Sequence, residues 1–519
     1  MRPVGFRLIL CLVLVSGISL LTWRWYGSPS VVAIDTVYGE VRDDRDPIPA
    51  ATVRCQGTRA STVTDDQGRF RLPARFAGSG RLTVAKAGYF IGAARAGSGA
   101  LAIQLRRLPA VDYESYRWIS PHPDAGSSQN CGNCHVEIYK EWSGSGHARS
   151  VDNRHFLNLY DGSDWHGRRK AGWSLLADNP DGAGVCTSCH APSLAFDDPA
   201  YYDLRQATGS AAKGVHCDYC HKVADVEDVQ FGLTHGRFGL KLLRPEKGRL
   251  FLGPLDDVER GEDSYAPIYR DSRYCASCHE GVVFGVHVYG TYSEWLDSPA
   301  RKQGKQCQTC HMAPTGNMTN FAPGHGGIPR DPQTLGNHVF FAGNHRTMLQ
   351  QCLKTAVRGN LENQTTFVSV AITPGDVGHR VPTGFVDRNL ALVVEAFSKE
   401  GKPLQAIRET PLLPIVAGKA FRNLPGVLYA KQLSDFDGNS PVPFWRARPE
   451  LIDTRLVPGT TACTAYRFSG SAAHVRVRII HRRFWQTVAD EKSWPDNELI
   501  VIDKTLPVLP SQVTEWSGP

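Results

Sequence analysis

Hydrophobic patterning divides the chain into three regimes. From Val32 to about Leu108, short apolar and β-branched runs alternate with polar positions at period two: Thr36-Val37-Tyr38-Gly39-Glu40-Val41, Ala51-Thr52-Val53-Arg54, Arg69-Phe70-Arg71-Leu72 and Arg81-Leu82-Thr83-Val84. Turn-forming Asp43-Asp44, Asp46-Pro47, Asp65-Asp66-Gln67-Gly68 and Ala87-Gly88 separate them. Strands of this length and spacing predict a small antiparallel β-sandwich over residues 32–108. Between about Val111 and Ala356 the periodicity fades while His, Cys, Gly, Trp and Tyr accumulate. Short helices joined by long loops are expected over 111–356. From about Thr365 alternation returns in Phe367-Val368-Ser369-Val370-Ala371-Ile372, Leu390-Ala391-Leu392-Val393-Val394-Glu395-Ala396 and His474-Val475-Arg476-Val477-Arg478-Ile479-Ile480. It predicts a second β-sandwich over 360–510. The expected fold class is therefore multidomain: an N-terminal β-sandwich, a mainly helical and loop-rich core, and a C-terminal β-sandwich.

The first residues follow a fourth pattern. Arg2 and Arg7 bracket the approach to a mainly apolar run from Leu8 to Leu21, closed by Thr22-Trp23-Arg24-Trp25. A basic start followed by about 14 mostly apolar residues is a Sec-type export signal, short for a free-standing membrane span. Residues 1–28 are thus expected to act as a signal peptide, with Val31-Val32-Ala33 the best cleavage site, or to stay as an inner-membrane anchor, and both options stand. Cys11 has no small residue before it, which argues against a lipoprotein. Composition adds little: 519 residues, 41% hydrophobic and 21% charged, allow two to four cored domains and exclude a disordered chain. The formal charge of +7 comes from scattered Lys and Arg with no basic run, so no nucleic-acid partner is expected.

Cysteine spacing changes the picture. Ten of the fourteen cysteines lie in the repeated pattern Cys-x-x-Cys-His: Cys131-Cys134-His135, Cys186-Cys189-His190, Cys217-Cys220-His221, Cys275-Cys278-His279 and Cys307-Cys310-His311. Two thiols separated by two residues can bond the two vinyl groups of one porphyrin, and the adjacent histidine then falls under the iron. Zinc sites would draw cysteines in fours or with distant histidines, and a thioredoxin-like pair would appear once. Five covalently attached haem c groups with their iron are the expected cofactors. Attachment of this kind and the export signal both place the protein outside the cytoplasm, in the periplasm or another extracytoplasmic space. Cys55, Cys352 and Cys463 remain, available for one disulfide or as free thiols. Motif starts at 131, 186, 217, 275 and 307 alternate long and short intervals, which predicts a close pair at every second haem.

A pure electron carrier needs a second axial ligand on every iron. His147 ends the stretch Tyr139-Lys140-Glu141-Trp142-Ser143-Gly144-Ser145-Gly146-His147, which is echoed at Tyr292-Ser293-Glu294-Trp295-Leu296-Asp297-Ser298, where Ala300 stands in place of the histidine. Two copies of Tyr-x-Glu-Trp-x-x-Ser, each after a motif, predict a repeated haem-packing unit.

Two resemblances follow from these residues. Gly39-Glu40-Val41, Pro47-Ile48-Pro49-Ala50-Ala51, Thr62-Val63-Thr64-Asp65 leading to Gly68-Arg69-Phe70, and Gly88-Tyr89 resemble the carboxypeptidase regulatory-like domain, a module with no chemistry of its own. Cys131-Gly132-Asn133-Cys134-His135, Gly214-Val215-His216-Cys217-Asp218-Tyr219-Cys220-His221-Lys222-Val223, Gly253-Pro254-Leu255-Asp256-Asp257, Cys307-Gln308-Thr309-Cys310-His311-Met312, Asn337-His338-Val339-Phe340-Phe341-Ala342-Gly343 and Gly378-His379-Arg380-Val381-Pro382-Thr383-Gly384-Phe385 resemble multihaem cytochromes related to the tetrahaem carrier and hydroxylamine oxidoreductase of nitrifiers. That resemblance covers about residues 115–400. It implies His147, His338, His345 and His379 as distal ligands, His235 as a fifth, and His287, His325 and His216 in reserve.

The leading expectation is an electron-transfer protein serving redox partner proteins. The competing one is an oxidoreductase with one open-site haem for a small nitrogen or sulfur compound. No motif ends in lysine as in pentahaem nitrite reductases, and the histidines suffice for every iron, which favours the carrier. A third reading gives the partner-binding role to the β-domains.

Overall fold

The computed structural model describes residues 36–73, 80–97, 99–180, 184–194, 202–227, 232–341, 345–509 and 513–518. The expected signal or anchor at 1–28 lies outside them. The described residues form two compact units: those through Ala85 with Gly92–Arg106, and Lys86–Ile91 with the residues from Arg107 onward.

In the first unit β1 (Thr36–Arg42), β2 (Thr52–Cys55), β3 (Ser61–Val63), β4 (Arg69–Pro73), β5 (Arg81–Ala85), β6 (Gly92–Arg95) and β7 (Leu101–Gln104) build two open sheets, β4-β1-β7 and β3-β2-β5-β6. Period two decides which face is covered: in β4, Phe70 and Leu72 are buried while Arg69, Arg71 and Pro73 are exposed. β1 runs antiparallel to β4 and parallel to β7. A Cβ at Gly39 would collide with the Leu101 carbonyl, so the close β1–β7 approach requires glycine there.

The second unit begins with an irregular region whose helices run to no more than eight residues. Three two-stranded ribbons punctuate it: β8 (Val223–Val226) with β9 (Leu240–Leu242), β10 (Phe251–Gly253) with β11 (Asp263–Tyr265), and β12 (Glu280–Val283) with β13 (Val286–Gly290). Helix is scarcer here than "mainly helical" implies. The reason is physical: with few apolar side chains at helical spacing, isolated turns are all that local propensity supports.

The chain closes with β14 (Leu353–Glu362), β15 (Thr365–Pro374), β16 (Asn389–Phe397), β17 (Gly426–Leu433), β18 (Leu451–Asp453), β19 (Ala462–Ser469), β20 (His474–Arg482), β21 (Glu498–Pro507) and β22 (Thr514–Gly518). They form antiparallel sheets β19-β15-β14-β22 and β18-β17-β16-β20-β21. The strands extend on both sides of 360–510, because β14 alternates through small or polar Thr355 and Gly359, and β22 carries Trp516 as its one large apolar residue. β16 explains the unbroken apolar run seen in the sequence. Its Leu390, Leu392, Val394 and Ala396 pack between the sheets with Val357, Val370, Ile372 and Val477. Its Ala391 and Val393 face the other way, toward Trp485, Trp494 and Leu159 of the irregular region. A strand buried on both faces has no polar side to show.

Lys492 fastens the two regions of this unit. Its side chain is 0% exposed, and Nζ donates to the carbonyls of Asn158 (2.8 Å), Ser163 (3.1 Å) and Trp173 (2.6 Å). Trp494 Nε1 donates to Asn158 Oδ1 at 2.9 Å. Lys492→Met keeps the apolar stem but strands three buried acceptors, so it is expected to cost about 2–4 kcal/mol of unfolding free energy. Denaturant titration of the two proteins measures this directly.

Candidate functional site

Each Cys-x-x-Cys-His occupies one helical turn: Cys131–Cys134, Thr187–His190 following the 3-10 turn Gly184–Cys186, Cys217–Cys220, Arg273–His279 and Cys307–His311. On such a turn, residues three apart share a face, so both sulfurs point together and the next residue follows beside them. Local chemistry sets the turns: Gln306 and Thr309 cap the last one reciprocally, and the His216 ring accepts from Tyr219 N–H at the third.

The motif histidines are prepared as neutral ligands. Nδ1 meets a backbone carbonyl in four of them: His135 with Phe321 O (2.9 Å), His190 with Ser150 O (2.6 Å), His221 with Leu252 O (2.6 Å) and His311 with Phe341 O (2.5 Å). A carbonyl only accepts, so Nδ1 carries the proton and Nε2 keeps its lone pair. Desolvation lowers the pKa of the half-buried His135, His190 and His221. Neutral imidazole is the form that binds metal.

Two of these histidines face a second one. The ring centres of His279 and His147 are 6.3 Å apart, and those of His311 and His379 are 6.2 Å apart. A metal–imidazole bond is roughly 2 Å and the ring centre lies roughly 1 Å beyond the nitrogen, so trans imidazoles on one metal stand about 6 Å apart. The pairs fit a single iron between them. Burial holds His147 at a pKa of about 4 and lowers that of His379. Half-buried His338 lies near His221 and His135, and desolvation brings its pKa to about 3.

The Tyr-x-Glu-Trp-x-x-Ser echo is the scaffold of this arrangement. Trp142 Nε1 donates to Val215 O (2.9 Å), and Trp295 Nε1 to Lys305 O (2.8 Å). Each indole thus grips the carbonyl two residues before a motif, the third and the fifth. Glu141 accepts from His338 N–H (2.8 Å), and Glu294 from Arg380 N–H (3.1 Å) and Thr383 Oγ1 (2.7 Å). Each glutamate therefore holds backbone at or beside a candidate distal histidine.

Residues 130–222 match the family of cytochrome c554 and c-prime. Residues 36–95 match the carboxypeptidase regulatory-like domain. Among solved structures, a penta-heme cytochrome c552 from Thermochromatium tepidum aligns over 73% of this chain and 97% of its own, with 22% identity and a TM-score of 0.53, a likeness of fold. No curated protein is significantly similar in sequence.

The cytochrome-type motifs touch through their sulfurs. Cys131 lies beside Cys217, Cys189 beside Cys278, and Cys275 beside Cys307, all as free thiols. The first motif thus adjoins the third, and the fourth adjoins both the second and the fifth. The alternating intervals pointed to the second with the third and the fourth with the fifth; the fourth and fifth do adjoin, whereas the Trp142–Val215 bond brings the third beside the first. Among the described residues no three or more His, Cys, Asp or Glu converge as for a bare metal ion, and Cys55, Cys352 and Cys463 are free thiols.

Other candidate histidines have different surroundings. His235 Nε2 meets the Val282 carbonyl at 3.0 Å. His345 is exposed and accepts from Met348 N–H at the start of helix Arg346–Cys352. His287 pairs with Glu280 at 2.6 Å, exposed His325 lies near His135, and the buried His216 Nε2 has no partner. A cavity of about 940 Å³ contains Cys186, Cys189 and His190 together with His235, His345 and a residue the sequence reading passed over, His481. His481 sits near the end of β20, past the Ile479/Ile480 register shift, where it looks like an ordinary sheet residue.

Replacing Trp142 or Trp295 by Phe removes one buried indole donor and leaves a carbonyl unsatisfied. Each change is expected to cost about 1–3 kcal/mol, read as a lowered midpoint in denaturant, with Ser143→Ala as a control that stays near wild type.

Proposed function

We propose that this chain is an exported pentahaem c-type cytochrome that conducts electrons between redox partner proteins. Support comes from the family match over the first three motifs and, above all, from the two histidine pairs at 6.2 and 6.3 Å, each combining a motif histidine with one far away in sequence. Haem c bound at the ten motif cysteines would supply one-electron chemistry. The protein's part is to fix the rings. His135, His190, His221, His279 and His311 act as proximal ligands; His147 serves the fourth site and His379 the fifth. His338 serves the third: in the echo Trp295 and Glu294 join the fifth motif to the His379 segment, and Trp142 and Glu141 join the third motif to His338 in the same way. His325 is the nearest candidate for the first. Four of the proximal rings are half-buried and held through Nδ1 by a backbone carbonyl, which fixes their orientation through repeated redox cycling. The relationship to nitrifier cytochromes, the periplasmic location and a possible inner-membrane association belong to this same reading.

The test is haem stoichiometry and spin state in protein matured by a c-type haem assembly system. Five haems per chain are expected. His147→Ala and His379→Ala should each convert one low-spin ferric haem to high-spin, with the total haem content unchanged. Fewer than five haems, or no change of spin state in both variants, would refute the assignment.

A further inference from the structure

Three segments far apart in sequence meet beside the fifth site: the helix Thr291–Leu296, the loop from His379 to Thr383, and the edge strand β18 with the residues just after it. Arg455 joins them. Its side chain is 5% exposed. The guanidinium donates to Asp453 through Nε (2.9 Å) and Nη2 (2.8 Å) and to the Pro382 carbonyl through Nη1 (3.2 Å), and it stands 2.7 Å from Glu294 as an ion pair.

These contacts converge on the His379 loop. Glu294 accepts from Arg380 N–H and Thr383 Oγ1. Val381 exchanges both backbone hydrogen bonds with Leu456, the neighbour of Arg455, at 3.0 Å. The Arg380 carbonyl meets His379 Nδ1 at 3.0 Å. One planar fork therefore serves two carboxylates and a carbonyl at once, a geometry that a lysine ammonium does not reproduce. Buried ion pairs also stand at the third motif, Lys222 with Asp218, and near the first, Arg330 with Asp257. Those lie on the proximal side, Lys222 directly after His221 and Arg330 over Phe321, whose ring stacks on His135. The Arg455 cluster instead holds the loop of a distal ligand.

Charge follows from the same geometry. Arg455 and Glu294 reach the His379 ring with opposite sign, the first opposing and the second favouring positive charge there. Lys431, 4% exposed, adds a cation within reach of Glu294 and Asp453 and donates to the His287 carbonyl at 3.1 Å. A haem between two imidazoles carries one more positive charge when ferric than when ferrous, so a nearby buried cation favours reduction and a carboxylate opposes it.

We propose that Arg455 is a positioning residue for the fifth haem: from the edge of the C-terminal sheet region it anchors the His379 loop, and its buried charge raises that haem's reduction potential. This inference rests on the haem reading above and gives the C-terminal region a part in electron transfer.

The experiment is a redox titration of the haem-loaded full chain, followed by electron paramagnetic resonance at mildly alkaline pH, where the carboxylates stay ionised. The low-spin ferric signal that disappears in His379→Ala marks the fifth haem. In Arg455→Met its reduction should become about tenfold less favourable, a fall of about 59 mV for one electron, with smaller shifts at every other haem. Glu294→Gln should move the same haem upward. Arg455→Lys keeps the charge without the fork, so the midpoint should stay near wild type while the g-values of that signal change. Shifts of the same sign in Arg455→Met and Glu294→Gln, an equal shift at all five haems, or unchanged g-values in both Arg455 variants would overturn the proposal. Should Arg455→Met not fold, Glu294→Gln decides the sign alone, and a fall or no change overturns it. If no low-spin signal disappears in His379→Ala, it is the ligand assignment that fails, and a haem count below five sinks the carrier reading itself.

Discussion

A histidine ligates iron best from inside a protein when its ring is neutral and its other nitrogen is held by a hydrogen bond. Much of this structure serves that condition. Four motif histidines give Nδ1–H to a backbone carbonyl, and two of the carbonyls come from far along the chain: Phe321, in a loop, for His135 and Leu252, in β10, for His221. The irregular region therefore cannot be shortened without loosening a ligand. Its loops are the means by which distant peptide groups reach the motif turns. The fourth motif histidine has its distal partner His147 at 6.3 Å instead, so position rather than a carbonyl marks it.

The echoed Tyr-x-Glu-Trp segments show how two sites can be built with one device. In both copies the indole holds the carbonyl two residues before a motif and the glutamate holds backbone at or beside a histidine proposed as a distal ligand, so one helical turn braces both. The second copy lacks the histidine that follows the first, since Ala300 stands there. The device is thus separable from the extra ligand, and His147 serves a different site from the one its own segment braces. The C-terminal sheets are equally tied to this region: β16 is apolar on both faces, and Lys492 reaches three carbonyls of the segment around Asn158.

The covalent sites were readable in the sequence because thioether chemistry imposes an invariant local spacing. Both strand-rich regions were readable because sheets covered on one face alternate at period two, although β22, with few apolar residues, left no such mark. Distal ligands leave a weaker trace. His147 and His379 stand at ligand spacing, while His235 and His345 are held by a carbonyl and a helix start, and nothing local to those residues distinguishes the two situations. His481 was hidden because it follows the Ile479/Ile480 register shift at the end of β20, in a stretch buried on both faces, where a histidine reads as an ordinary sheet residue. Spacing marked the fourth and fifth motifs as neighbours but not the first and third, which are joined by a single indole bond across 73 residues, from Trp142 to Val215.

The most direct test is a crystallographic structure of the haem-loaded protein with iron located by anomalous scattering. The account requires one iron midway between the rings of His147 and His279 and another midway between those of His311 and His379. Iron at either motif bound by any other second ligand would contradict it.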